Sequence, residues 1–285
     1  MPQPSSGFQF VEIGSSDISR SVDFYRSLLD FTVVDDPPWP PDERVHWLAA
    51  GPALFKIIDA GDGDLGGWKN DDLQRGMRHV GLKVGNVDHR AERLRDAGVG
   101  FTIEPTDAVG DVRLCFFTDP DGTLLEFIDG HLTYHTVMSS HLADRERIAA
   151  EQRPREAAPI FDHVAVTVAD LQTTISYYRD ALGYEVIGQL RHAADPRGFL
   201  ITYLQAGAGV LEVFTYTADT EPSPWTPDDS RLGLRGIGIG VDDPAGTLGR
   251  LTALGGAPVP GAPATASGPL VTDPDGFPLQ VVTPG

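Results

Sequence analysis

The chain has 285 residues and a formal charge of −19, from 22 basic and 41 acidic side chains. That balance disfavours nucleic acid, whose phosphates need clustered Lys and Arg, and anionic membranes, but leaves room for a small-molecule substrate. No run of about 20 apolar residues is present, so no spanning helix is expected, and with Cys115 as the sole cysteine no intramolecular disulfide can form, which makes a cytoplasmic setting the default.

The opening MPQPSSGFQF has neither the basic region nor the apolar core of a signal peptide. From Phe8, FQFVEIGSSDISRSVDFYRSLLDFTVV reads as a strand, a turn ending in Asp, an amphipathic helix and a second strand. From Arg78, RHVGLKVGNVDHRAERLRDAGVGF gives a strand, a turn, a helix and a Gly-rich stop. FTDPDGTLLEFI then closes the unit, its DPDG marking a turn between two strands. Residues 131–159 join the halves, and their core, SSHLADRERIAAEQ, reads as a charged surface helix with a Ser cap. FDHVAVTVADLQTTISYYRDALGYEVI, from Phe161, repeats the first pattern, and Phe10 falls opposite His163. RGIGIGVDDPAGTLGRLTALGGAP, from Arg235, repeats the second, and VTDPDGFPLQVV closes it. ADTEPSPWTPDD, before the fourth unit, reads as a loop.

The chain therefore divides into four units, each strand–helix–strand–strand–strand, an internal repeat that sets the fold class as α+β. Two tandem domains follow in sequence order, 1–130 and 160–285, with 131–159 between them. Period-two alternation puts Val164, Val166 and Val168 on the helix-covered face of their strand and His163 on the other. The same reading places His79, Glu126 and Glu212 on the uncovered face. Carboxylates within apolar strands demand a cation or a proton, because burying an unpaired charge costs several kcal/mol. Two imidazoles and two carboxylates suit one divalent metal ion: Zn, Ni, Co, Mn or Fe(II).

HVAVTVADLQTTISYYRDALGY, HVGLKVGNVD and DPDGTLLEF resemble the vicinal oxygen chelate superfamily, which includes glyoxalase I, methylmalonyl-CoA epimerase, fosfomycin- and bleomycin-resistance proteins and extradiol dioxygenases. The resemblance covers nearly the whole chain outside the joining segment. It implies four βαβββ modules whose curved mixed sheets form clefts, with metal ligands on the first and last strands of each module. By position the modules offer Phe10 and Lys56, His79 and Glu126, His163 and Glu212, then Gly236 and Gln280. Pairing of the second and third modules, within one chain or across a homodimer, makes one complete site of His79, Glu126, His163 and Glu212. The first and fourth then share a cleft without useful ligands. The resemblance further implies a glyoxalase I-like isomerase, epimerase or lyase, working on an oxygen-chelating carbonyl substrate with Glu126 or Glu212 as the catalytic base. The alternatives are a non-haem Fe(II) dioxygenase and a metal-free drug-binding protein. Phe116 stands where extradiol enzymes usually carry a Tyr, which disfavours catechol cleavage.

The remaining candidates read as structural. Lys56 and Gln280 are ordinary strand residues, and Gly236, Gly238 and Gly240 allow close packing. Tyr177 and Tyr178 belong to the core, Cys115 is a buried inert thiol, and His131, His135 and His141 are solvated.

Overall fold

A computed structural model describes residues 7–285; residues 1–6, part of the stretch compared above with a signal peptide, lie outside the described residues. Each of the four repeats forms a βαβββ module. The first contains β1 (Gly7–Ser15), α1 (Ile18–Ser27), β2 (Thr32–Val33), β3 (Val45–Ala50) and β4 (Ala53–Asp59). The second contains β5 (Gly76–Lys83), α2 (Val87–Asp96), β6 (Phe101–Asp107), β7 (Arg113–Thr118) and β8 (Leu124–Asp129). The joining segment supplies β9 (Thr136–Val137) and α3 (Ser140–Glu151). The third module contains β10 (Ile160–Thr167), α4 (Leu171–Leu182), β11 (Glu185–Arg191), β12 (Leu200–Ala206) and β13 (Gly209–Thr215). The fourth contains β14 (Gly233–Gly240), α5 (Pro244–Ala253), β15 (Ala257–Pro258), β16 (Leu270–Thr272) and β17 (Pro278–Val282).

The module helices start by one local rule. Asp17, Asn86, Asp170 and Asp243 each sit before a helix and accept a hydrogen bond from the backbone N–H three residues on. Such a cap satisfies one of the donors that a helix N-terminus leaves free. The joining helix departs from the expected Ser cap. Ser139 occupies the cap position of α3 but its side chain makes no capping bond, and its Oγ lies 2.9 Å from His141 Nδ1 instead.

The modules combine across the sequence. One sheet runs β15-β16-β17-β14-β1-β4-β3-β2 and so joins the fourth module to the first. The other runs β6-β7-β8-β5-β10-β13-β12-β11-β9 and joins the second to the third. The central seam of each sheet is antiparallel, β1 with β14 and β5 with β10. Each sheet therefore takes one module from 1–130 and one from 160–285. The helix-facing residues of both sheets, among them Val11, Val80, Val164 and Ile237, meet in a single apolar core. That core includes Tyr177 and Tyr178 as well as the buried Cys115, whose thiol burial pushes up to about 12.

Neighbours in sequence are tied by a different device. The Asp of each TDPDG turn is buried and accepts the phenol O–H of a tyrosine from the preceding module. Tyr25 reaches Asp119 at 2.8 Å and Tyr178 reaches Asp273 at 2.9 Å. Each carboxylate also accepts two amides of its own turn. Among the described residues, no helix is long and apolar enough to cross a membrane.

Candidate metal centre

The seam between β5 and β10 brings the predicted residues together within one chain. In register, His163 lies beside Gly81, and Gly81 beside Glu126. One step along, His79 lies beside Ala165, and Ala165 beside Glu212. Two neighbouring rows thus each carry an imidazole and a carboxylate flanking a small residue. The small residue leaves open the space into which the larger pair leans. A Cβ added to Gly81 would stand 2.0 Å from His163 Cε1, so glycine is what lets that ring lie over the seam.

The four side chains converge. His79 Nε2 is 3.2 Å from Glu126 Oε2 and 3.4 Å from Glu212 Oε2. His163 Nε2 is 3.0 and 3.4 Å from the same two oxygens, and the two Nε2 atoms are 3.1 Å apart. One ligand atom from each residue lies within 4.8 Å of all the others, and all four residues are buried. Donors about 2.1 Å from a common ion are about 3.0 Å apart at right angles and about 3.4 Å apart in a tetrahedron. The observed spacings span that interval, so the cluster could hold a metal ion.

Asp162 adds a second support. Its Oδ2 lies 2.9 Å from His163 Nδ1, so Nδ1 carries a proton and Nε2 is the nitrogen turned to the cluster. Burial alone would lower both imidazoles. For His163 the charge of Glu212, the hydrogen bond to Asp162 and the contact with Glu126 outweigh it and hold the group well above its ordinary value. His79 is raised in the same way, by Glu126 and Glu212. Burial would raise Glu126, but His163 and His79 bring it down to about 2.

The cluster floors a cavity of about 370 Å³ into which His79, Glu126 and Glu212 open. Its walls come from both halves of the curved sheet, with Phe116 on β7 and Phe214 on β13 beside His79. Leu132 of the joining segment closes part of it. Tyr203, on β12 opposite Glu212, is buried there; burial and then the charge and hydrogen bond of Glu212 raise its phenol well above the usual value.

The corresponding positions of the other sheet carry no such cluster. Phe10 stands at the place of His163 and packs edge-on against Trp39 and Trp47 at 4.9 and 5.2 Å. Gly238 lies under the Phe10 ring as Gly81 lies under His163, and Gly236 packs against Pro278. Lys56 is not the ordinary strand residue that its sequence suggests. It is buried, pairs with Glu12 at 2.7 Å, and donates to Ser267 Oγ and Thr265 O. Gln280 accepts the Ser267 amide at 2.7 Å. Aromatic rings, an internal ion pair and the 265–267 segment fill this cleft.

Of the joining-segment histidines, His135 and His141 are exposed as expected and His131 is half-buried. His135 Nδ1 accepts the Arg191 amide, and His131 Nδ1 lies 3.1 Å from Asp111. Sequence reasoning missed Gly81, Ala165, Asp162 and Tyr203. The repeat could have found Tyr203, because Phe116 faces Glu126 as Tyr203 faces Glu212.

Over residues 7–127 and 160–281 the sequence matches the family described as the Glyoxalase/Bleomycin resistance protein/Dioxygenase superfamily. The chain belongs to that superfamily. Glyoxalase I from Zea mays is similar in structure at 20% identity, with 97% of this chain and 92% of that chain covered and a TM-score of 0.68. A putative dioxygenase from Bacillus subtilis is similar at 14% identity, covering 99% of this chain and 86% of that one, with a TM-score of 0.61. At these identities the likeness speaks to the fold. Within the superfamily, the pairing of the second module with the third gives this chain one donor cluster rather than two half-sites.

Proposed function

We propose that this protein is a divalent-metal-dependent enzyme of the glyoxalase I-like kind, an isomerase, epimerase or lyase that moves a proton next to the carbonyl of a small oxygen-chelating substrate. The observation that carries the reading is the convergence of His79, Glu126, His163 and Glu212 at the floor of an open cavity. These four residues would hold the ion. Zn, Ni, Co, Mn and Fe(II) all suit the set. When bound, it supplies Lewis acidity for negative charge that builds on the substrate oxygen.

The chain's own residues do the rest. Glu212 is the better placed base, because its side chain is the more exposed of the two carboxylates and its Oε2 stands 3.4 Å from both imidazoles. It takes the proton from the carbon beside the carbonyl and returns it. Tyr203, directly across from Glu212 on β12, bears on that carboxylate and helps to position it. Glu126, closer to both rings, stays as a fixed ligand. The apolar walls keep water from the reacting carbon.

A non-haem Fe(II) dioxygenase is the second reading. His79, His163 and one glutamate make a two-histidine, one-carboxylate set, and Tyr203 supplies on β12 the tyrosine that Phe116 lacks on β7.

Metal analysis of protein purified without chelator tests the site. One ion per chain is expected, lost in both His163→Ala and Glu126→Ala. Unchanged metal in both variants would remove the site, and no ion after reconstitution would favour a metal-free binding protein. Solvent deuterium entering a hydroxyketone beside its carbonyl would support proton transfer; oxygen uptake with a catechol would support the second reading.

A further inference from the structure

The chemistry of the cavity wall says more than the floor does. Above the donor cluster the lining is predominantly apolar, with Leu114, Ile128, Leu190 and Ile201 facing the aromatic rings of Phe199 and Phe214. Arg78 is the lining residue that carries a permanent positive charge; its two terminal nitrogens are taken by backbone carbonyls, while its Nε has no partner among the described residues. It is buried, donates to the carbonyls of Lys69 and Gln74, and lies 5.1 Å from the centre of the Trp68 ring. Its repeat counterpart, Arg235, likewise donates to the carbonyls of Asp229 and Arg231, beside the filled cleft. That duplication makes Arg78 a loop anchor. His192 is stacked on Phe199 with the rings 4.7 Å apart. The other charged groups of the cavity are Glu126, Glu212 and, at the rim, Asp72, which faces Arg197 at 3.6 Å.

We propose that this cavity takes substrates whose body is uncharged and apolar, held by the wall while the chelating oxygens face the cluster, and that it rejects glutathione-conjugated substrates. The proposal deepens the proposed function and rests on that reading for the chelating end. A glutathione conjugate brings two carboxylates. In this cavity they would lose their water against apolar side chains, while Arg78 is buried with its terminal nitrogens already bonded to the carbonyls of Lys69 and Gln74. An apolar body loses nothing of the kind and gains contact with the wall.

Two dyes with a shared skeleton test the wall. N-phenyl-1-naphthylamine is neutral, and 8-anilinonaphthalene-1-sulfonate is the same ring system with one added negative charge. With the full chain, the neutral dye should bind one per protein and at least about tenfold tighter than the sulfonate, and S-hexylglutathione should not displace it. Leu190→Asp and Ile103→Asp should each weaken it; Ile103 lines the same cavity and is 47% exposed, so that variant remains informative if the buried change prevents folding. Equal or tighter binding of the sulfonate, displacement by S-hexylglutathione, or a dye affinity indifferent to folded variants would overturn the proposal. Metal content is measured on the same samples. Loss of the metal reading would appear there and leave the dye result standing, whereas displacement by S-hexylglutathione with one ion still bound would refute the substrate class alone.

Discussion

Asp162 shows how much of this site rests on a single side chain outside the donor set. By fixing the proton on His163 Nδ1 it decides which nitrogen faces the cluster. Asp162→Asn should leave the fold intact and lower metal affinity by about 10–100-fold, read by competition with a chromogenic chelator. The raised imidazoles carry a second consequence. In the metal-free protein their stabilising contribution is complete below pH 6.5 and is lost as the pH rises through their elevated values, while that of Glu126 is present above 4.5 and is lost only as the pH falls through about 2. At neutral pH the metal-free cluster thus holds protons that an ion must expel. Metal binding should release protons at pH 7, seen as a buffer-dependent calorimetric heat, and affinity should rise with pH. A heat that does not change with the buffer would contradict this.

At the scale of the element, the seam strands decide what each sheet can do. β5 and β10 carry their two imidazoles beside Gly81 and Ala165, which open a space. In the twin seam, Glu12 stands where Ala165 does and pairs with Lys56, which stands where Glu212 does. The same strand framework therefore makes a donor cluster in one sheet and an internal ion pair in the other. Gly81→Ala should displace the His163 ring and abolish metal retention. Gly238→Ala, whose Cβ would come 2.3 Å from Phe10, should lower stability by about 1–3 kcal/mol through overpacking and leave metal content unchanged. Thermal melts and metal analysis on both variants separate the two effects.

At the scale of the whole molecule, two kinds of link hold four modules together. Sheet seams join the second to the third and the first to the fourth, while the Tyr25–Asp119 and Tyr178–Asp273 contacts join the first to the second and the third to the fourth. Each half of 1–130 and 160–285 contributes one histidine and one glutamate to the cluster. Because all four come from one chain, metal content per chain should not change when the protein is diluted through any dimer dissociation. A loss of ion that follows a falling oligomeric mass would show that the cluster forms between chains instead.

The sequence by itself determined the modules and the side chains that face away from their helices. Strand alternation, the Asp and Asn caps and the TDPDG turns are local signals, and each is readable within a few residues. It also supplied four candidate ligands, since His79 and His163 recur at matching places and Glu126 and Glu212 interrupt apolar strands. Tertiary structure alone decided that the second and third modules share a seam within one chain, because strand pairing joins residues 84 positions apart and leaves no mark in either strand. The same holds for Gly81 beneath His163, Tyr203 opposite Glu212 and Lys56 turned onto Glu12. Each depends on cross-strand register, which appears only when the sheet is assembled.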